Sequence, residues 1–170
     1  ELLAEKPAAV TIHARARKEM SKVPARWERV KRAVEIRNEC KSDALILGNG
    51  DVKDIVEAHE RVEETGADGV MLGRAIFGNP WLFASLRRGS TSSLTRLSLV
   101  SLSQRLKVMV EHTKLFEELL GKHKNFAIMR KHFKAYVEGF DGAKELRMRL
   151  METNSAEEVE EIVRIFLSSH

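Results

Sequence analysis

The sequence predicts an α/β layer of parallel strands followed by an all-helical region. Two patterns carry this. Short apolar runs begin near residues 8, 44 and 69, each separated from the next by an amphipathic stretch. Their spacing, roughly 25 to 36 residues, is the size of one βαβ unit. Beyond residue 104 the apolar residues recur only at helical spacing.

Ala8-Ala9-Val10-Thr11-Ile12-His13 reads as a strand buried on both faces, and a basic loop follows it. Trp27, Val30, Ala33, Val34 and Arg37 then repeat with the helical period. Ala44-Leu45-Ile46-Leu47 is the second strand and ends in Gly48-Asn49-Gly50-Asp51. From Val52 to Glu64 the chain is again amphipathic, with Ile55, Val56, Ala58 and Val62 on its apolar side. Gly66-Ala67-Asp68 turns into the third strand, Gly69-Val70-Met71-Leu72, which stops at Gly73-Arg74.

Strands joined by helices imply a parallel sheet with right-handed crossovers. Three strands cannot close a barrel, since a complete eight-unit barrel takes about 250 residues. If the sheet belongs to a (β/α)₈ TIM barrel, it is the C-terminal part of one, with the other strands on the N-terminal side. An open three-layer sandwich is the alternative, but no Gly-x-Gly-x-x-Gly turn supports a dinucleotide fold.

Residues 87–104, with Arg88-Gly89-Ser90-Thr91-Ser92-Ser93, read as a linker. Leu106, Met109, Val110, Thr113, Phe116 and Leu120 form one helical stripe, and Phe126, Met129, Phe133, Tyr136 and Val137 a second. Leu146 and Leu150 mark a third helix. Ser155 with Glu158 is a capping box for the last, whose Val159, Ile162, Val163 and Phe166 face inward. The expected organisation is an incomplete barrel domain over 1–86, the linker over 87–104, and a small all-α helical bundle over 105–170.

No run approaches the roughly 20 apolar residues that span a bilayer, and the N-terminus lacks a basic-then-apolar leader. These features predict a cytoplasmic protein with no membrane partner. One cysteine, Cys40, excludes a disulfide framework and a cysteine-based zinc site, and no metal is expected. Positive charge is clustered: residues 15 to 37 carry nine Lys or Arg against three Glu, and residues 121 to 149 eight against three acids. Such clusters fit either a polyanion or a solvated face.

In a parallel barrel, chemistry sits where strands end. His13 ends the first strand, Asn49-Gly50-Asp51 the second and Gly73-Arg74 the third. Gly50 and Gly73 leave backbone N–H groups unobstructed, and Arg74 adds a fork that fits a phosphate. Helices after each loop are expected to point their positive ends at the strand tips. The physical reading is a phosphate-bearing ligand held by main chain and one arginine. His13 is compatible with a core histidine or with a donor to that ligand. Cys40, expected at a helix C-terminus remote from the tips, is not a nucleophile.

These residues, in this order, resemble the tRNA-dihydrouridine synthase family. His13-Ala14-Arg15-Ala16-Arg17 and Pro24-Ala25-Arg26-Trp27 look like its His-Gly-Arg-Thr-Arg and Pro-Ala-x-Trp segments. Asn49-Gly50-Asp51 matches a strand end. The run Thr65-Gly66-Ala67-Asp68-Gly69-Val70-Met71-Leu72-Gly73-Arg74 through Gly78-Asn79-Pro80-Trp81-Leu82-Phe83 is the most diagnostic. In the tail, Arg130-Lys131-His132-Phe133, Gly139-Phe140-Asp141-Gly142-Ala143 and Glu145-Leu146-Arg147 also fit, so the likeness runs from about residue 8 to about residue 166.

The resemblance implies an FMN-dependent enzyme that reduces the C5–C6 bond of uridine in tRNA, with NADPH replenishing the flavin. Asn49, Gly50, Asp51, Gly73 and Arg74 would enclose the FMN phosphate, and His13 would approach the flavin. Arg15, Arg130, Lys131 and Lys134 would contact RNA. No catalytic residue is expected in this chain: the family's proton-donating cysteine and flavin-contacting lysine fall before the region present. Ala14 and Val23 stand where the family has glycines, and Ala16 where it has threonine, which affects loop geometry rather than fold. Two other readings remain: another FMN or sugar-phosphate barrel oxidoreductase, and a non-catalytic RNA-binding remnant.

Overall fold

The computed structural model describes residues 1–19, 22–83 and 100–169. These form an α/β unit, Glu1–Ile76 with residues 82–83, and a second unit in which Phe77–Trp81 packs with the helices from residue 100 onward.

In the first unit β1 (Ala9–His13), β2 (Leu45–Asn49) and β3 (Gly69–Met71) pair in parallel with β2 in the middle. The register sets Ile12 beside Gly48 and His13 beside Asn49, while Gly48 meets Val70 and Asn49 meets Met71. Because side chains alternate along a strand, this register sorts them into two faces. Val10, Ile12, Ile46 and Val70 point to one, where α1 (Trp27–Glu39) and α2 (Ile55–Thr65) bury Trp27, Val30, Val34 and Ala58 against them. Ala9, Thr11, Leu45, Leu47 and Met71 point to the other, and there Leu45 is 49% and Met71 54% exposed. The expectation of strands buried on both faces is thus met on one face only. A continuous apolar run says that both faces can be buried, whereas only a second layer can bury them.

Gly48 explains how α1 lies so close to the sheet. A Cβ there would fall 2.2 Å from Cζ3 of Trp27, so the indole rests directly on bare backbone. Its Nε1 donates to the carbonyl of Gly50 at 3.1 Å. At the other end of the strands, the Asp68 carboxylate accepts from the Ile46 N–H at 2.7 Å and pairs with Arg37 at 3.0 Å. Asp54 caps α2 by accepting from the N–H of Glu57, and Gly66 ends it in the left-handed region.

Strand boundaries differ slightly from those expected. β2 continues through Gly48 to Asn49, and β3 stops at Met71. α-Helices follow the tips of β1 and β2, as expected, and β3 leads directly into a 3-10 turn, Arg74–Ile76. Gly78, at φ 71°, and Pro80 keep this turn from extending into an α-helix. The helix expected after the third tip falls on residues that lie largely outside the described ones.

The second unit contains α3 (Leu102–Leu120), a 3-10 turn (Phe126–Met129) running into α4 (Arg130–Tyr136), α5 (Ala143–Met151) and α6 (Ala156–Ser168). Leu106, Met109, Met129, Phe133, Val137, Leu146, Leu150 and Val159 form its fully buried core. Most of the stretch expected as a linker lies outside the described residues, but its end is helical: Ser101 and Gln104 make a reciprocal capping box for α3. The box expected on α6 is shifted. Ser155 accepts from the Glu158 N–H, while the Glu158 carboxylate reaches the N–H of Asn154 rather than that of Ser155. Phe77–Trp81 is seated by Gly78, where a Cβ would lie 2.3 Å from the Ala135 carbonyl oxygen. Among the described residues, no helix is long and apolar enough to cross a membrane.

Candidate functional site

The β register brings His13, Asn49 and Met71 into one cross-strand row on the open face, at the C-terminal ends of the strands. Asn49 is fixed in that row by its amide, which donates to the Met71 carbonyl at 2.7 Å. Beyond the row the loops enclose a cleft of about 510 Å³, lined by His13, Arg15, Asn49, Asp51, Lys53 and Arg74 together with Gly50 and Gly73. The three tip motifs expected to act together thus border one space.

Asp51 organises it. The chain turns through Gly50 at φ 128° and Asp51 at φ 60°. At Gly50 a Cβ would be strained and would meet Ala25 at 2.8 Å. Aspartate tolerates the left-handed region better than most residues. One carboxylate oxygen of Asp51 accepts from the Ala25 N–H at 2.8 Å and from the Arg15 guanidinium. The other faces Arg74 Nη2 at 3.5 Å. The hydrogen bond from Arg15 holds this carboxyl below its usual range; the Ala25 N–H and the charges of Arg15 and Arg74 act in the same direction.

The two arginines differ in freedom. Arg15 also donates through Nε to the Val23 carbonyl at 2.6 Å, and its side chain is only 5% exposed. Its guanidinium is committed to the loop and braces the cleft wall. Arg74 is 67% exposed and held by one long contact, which leaves most of its fork available to an anion. Three cations, Arg15, Lys53 and Arg74, outnumber the single carboxylate of Asp51 among the lining residues. Gly73 adds room, since a Cβ there would meet nothing within 4 Å.

The loop between β1 and α1 is tied independently. Glu19 accepts from Arg26 Nη1 and from the Ala16 N–H at 2.8 and 2.7 Å, and these bonds, that of Arg26 first, bring its carboxyl down to about 2. Lys53 and Ala25 were missed by the sequence reading. Lys53 lies two residues past Asn-Gly-Asp, and that proximity was the available signal. Ala25 gave none, because its contribution is a backbone N–H. Cys40 is exposed at the C-terminus of α1, whose other end, Trp27, bonds the Gly50 carbonyl at the tips. Thirteen helical residues separate the two ends by about 20 Å.

On the second unit, Lys131 and Lys134 are exposed and Arg130 is half-buried, with its Nε lacking a hydrogen-bond partner. The Lys131 ammonium sits 5.3 Å from the ring centre of Phe77. Phe77, His132, His112 and Tyr136 follow one another in contact, with ring centres 4.9, 4.8 and 6.0 Å apart. Burial, then the neighbouring His112 and Lys131, pushes His132 down to about 4. Burial also lowers His112 and raises Tyr136.

Fold and cleft together define an α/β protein with a parallel sheet, whose strand tips present a cationic pocket and whose chain continues into a helical unit. The family model described as dihydrouridine synthase matches residues 6–169, and the chain belongs to that family. A probable tRNA-dihydrouridine synthase of Staphylococcus epidermidis is 39% identical over 160 residues, covering 94% of this chain and 46% of the relative. One from Staphylococcus aureus is 38% identical over the same length. A probable tRNA-dihydrouridine synthase 2 of Bacillus subtilis is 36% identical over 166 residues, covering 97% of this chain and 48% of its own. The chain spans about half the length of these curated relatives.

Proposed function

We propose that this chain supplies the flavin-phosphate pocket and the RNA-gripping helices of a tRNA-dihydrouridine synthase, with its sheet being the C-terminal part of a (β/α)₈ barrel. One observation carries the reading. The Asn49-Gly50-Asp51 and Gly73-Arg74 tips border a single cleft in which an exposed guanidinium is kept near, but not locked onto, a carboxylate already engaged by Arg15.

The residues present suit FMN. The cleft has the size of a small-ligand pocket. Arg74 and Lys53 would hold the phosphate, and Gly73 permits close approach of backbone. Asp51, neutralised by Arg15, would position Arg74 rather than repel the anion. His13, at the head of the row, would border the ribityl chain or ring, and the open face with Leu45, Leu47 and Met71 would be barrel interior. When bound, FMN would supply the hydride for the uridine C5–C6 bond, with NADPH as its reductant. Cys40 is too remote to donate the accompanying proton. Lys131, Lys134 and Arg130 would meet the tRNA backbone, while Arg15, committed to Asp51, would act as a brace.

Titration of the chain with FMN, followed by flavin fluorescence, tests the pocket. Arg74→Ala removes one charge-assisted phosphate contact, worth about 1.5–3 kcal/mol, and should weaken FMN about tenfold to a hundredfold. Unchanged affinity removes the phosphate assignment. Salt-dependent binding of unmodified tRNA tests the helices. FMN binding without tRNA binding would favour a different phosphate-barrel oxidoreductase, and the reverse a non-catalytic RNA-binding remnant.

A further inference from the structure

Phe77 presents about 37% of its surface to solvent, although the unit it belongs to has a well-filled core. It is held in that position. Gly78 next to it is seated on the Ala135 carbonyl, and no residue with a Cβ could take that place without displacing backbone. Behind the ring stand His132, tilted at 57°, then His112 and buried Tyr136, whose hydroxyl is 3.4 Å from His112 Nδ1. This column of rings ends in solvent at Phe77.

We propose that Phe77 is a stacking platform for one unpaired base of tRNA, with Lys131 serving the phosphate of the same nucleotide. The proposal rests on the tRNA reading above and deepens it. A phenyl ring at the surface accepts the flat face of any base, worth about 1–3 kcal/mol. The Lys131 ammonium now lies over that ring at 5.3 Å, where a base would go. A base arriving there displaces the ammonium toward the adjoining phosphate, so that ring and cation serve one nucleotide. Lys134, three residues on, lies on the same side of α4, and that helix, Arg-Lys-His-Phe-Lys-Ala-Tyr, carries no acidic residue. An aromatic edged by cations from an acid-free helix complements a polyanion that bears flat rings. Burial lowers both supporting imidazoles from their ordinary value, which disfavours charge within the column.

The test compares binding of the full chain to unmodified tRNA transcript, to a short oligouridylate and to an RNA duplex of the same length. Phe77→Leu keeps apolar bulk against His132 and removes the ring. It should weaken tRNA and oligouridylate about fivefold to a hundredfold, leave duplex affinity unchanged, and leave the salt slope unchanged. Lys134→Ala should instead weaken all three and reduce that slope. Wild-type affinity of Phe77→Leu for oligouridylate, or an equal loss on duplex, overturns the platform while leaving tRNA binding standing. Failure of the unaltered chain to bind either tRNA or oligouridylate removes the tRNA reading and the platform with it. Should the leucine variant not fold, Phe77→Trp retains a ring. Its added emission, relative to the parent with Trp27 and Trp81, must be quenched by oligouridylate, and no quenching overturns the proposal.

Discussion

Asp51 shows how much of the cleft depends on a single carboxylate. It joins the β1 loop through Arg15, the segment before α1 through the Ala25 N–H, and the third tip through Arg74. Asp51→Ala would leave the enclosed Arg15 guanidinium without its partner. Losing a fully buried pair costs about 3–5 kcal/mol. Partial solvent access to Asp51 reduces this to about 1–3 kcal/mol, measurable by urea denaturation. Because its folded pKa lies below the ordinary 3.8, the stability that Asp51 contributes is present above that value and is lost as pH falls through the folded one. Gly48 is the steric counterpart. Gly48→Val sets a branched side chain into the Trp27 indole and should cost about 1–3 kcal/mol by overpacking. The same denaturation series reads this as a lower midpoint, and an unchanged midpoint would mean that α1 does not lie on the sheet as described.

Among the elements, the α3–α4 pair has a pH dependence of its own. Folded His132 is held at about 4, against an ordinary 6.5, by burial, by His112 and by Lys131. Between these values the unfolded chain takes up a proton that the folded chain refuses. Stability should therefore fall as pH drops from 6.5 toward 4 and level off below. His132→Phe keeps a ring in the column without the proton, so thermal melts followed by circular dichroism should lose part of this slope. An identical slope in the variant would mean that His132 titrates normally. Element identities were largely legible. The helical stripes Leu106–Leu120 and Val159–Phe166 are one-face patterns of local periodicity, and they are buried as read except at Leu120, which is exposed at the end of α3, and Ile162, which is half-buried. The segment after Gly73 was less legible, because Phe77–Trp81 makes its contacts with residues more than fifty positions away.

For the whole molecule, the sheet is the feature with the largest consequence. Its second face exposes Leu45 and Met71, and β1 and β3 each have a strand neighbour on one side only among the described residues. Apolar surface beside unpaired strand edges promotes association. Light scattering after gel filtration should give a mass above the 19.3 kDa of one chain. Leu45→Lys should shift that mass toward a single chain. A monodisperse 19.3 kDa species from the unaltered protein would show that this face is not adhesive.

The residues alone determined the alternation of strand and helix and the loading of strand ends with His13, Asn49-Gly50-Asp51 and Gly73-Arg74. They also carried the family likeness, because apolar period and glycine placement act within a few positions of the chain. Tertiary structure alone decided that Arg15 closes onto Asp51 while Arg74 stays open, that one sheet face is uncovered, and that Phe77 stands at the end of a ring column. Each of these depends on which distant groups a parallel register or a helix packing brings within a few ångströms. No local pattern encodes such a distance.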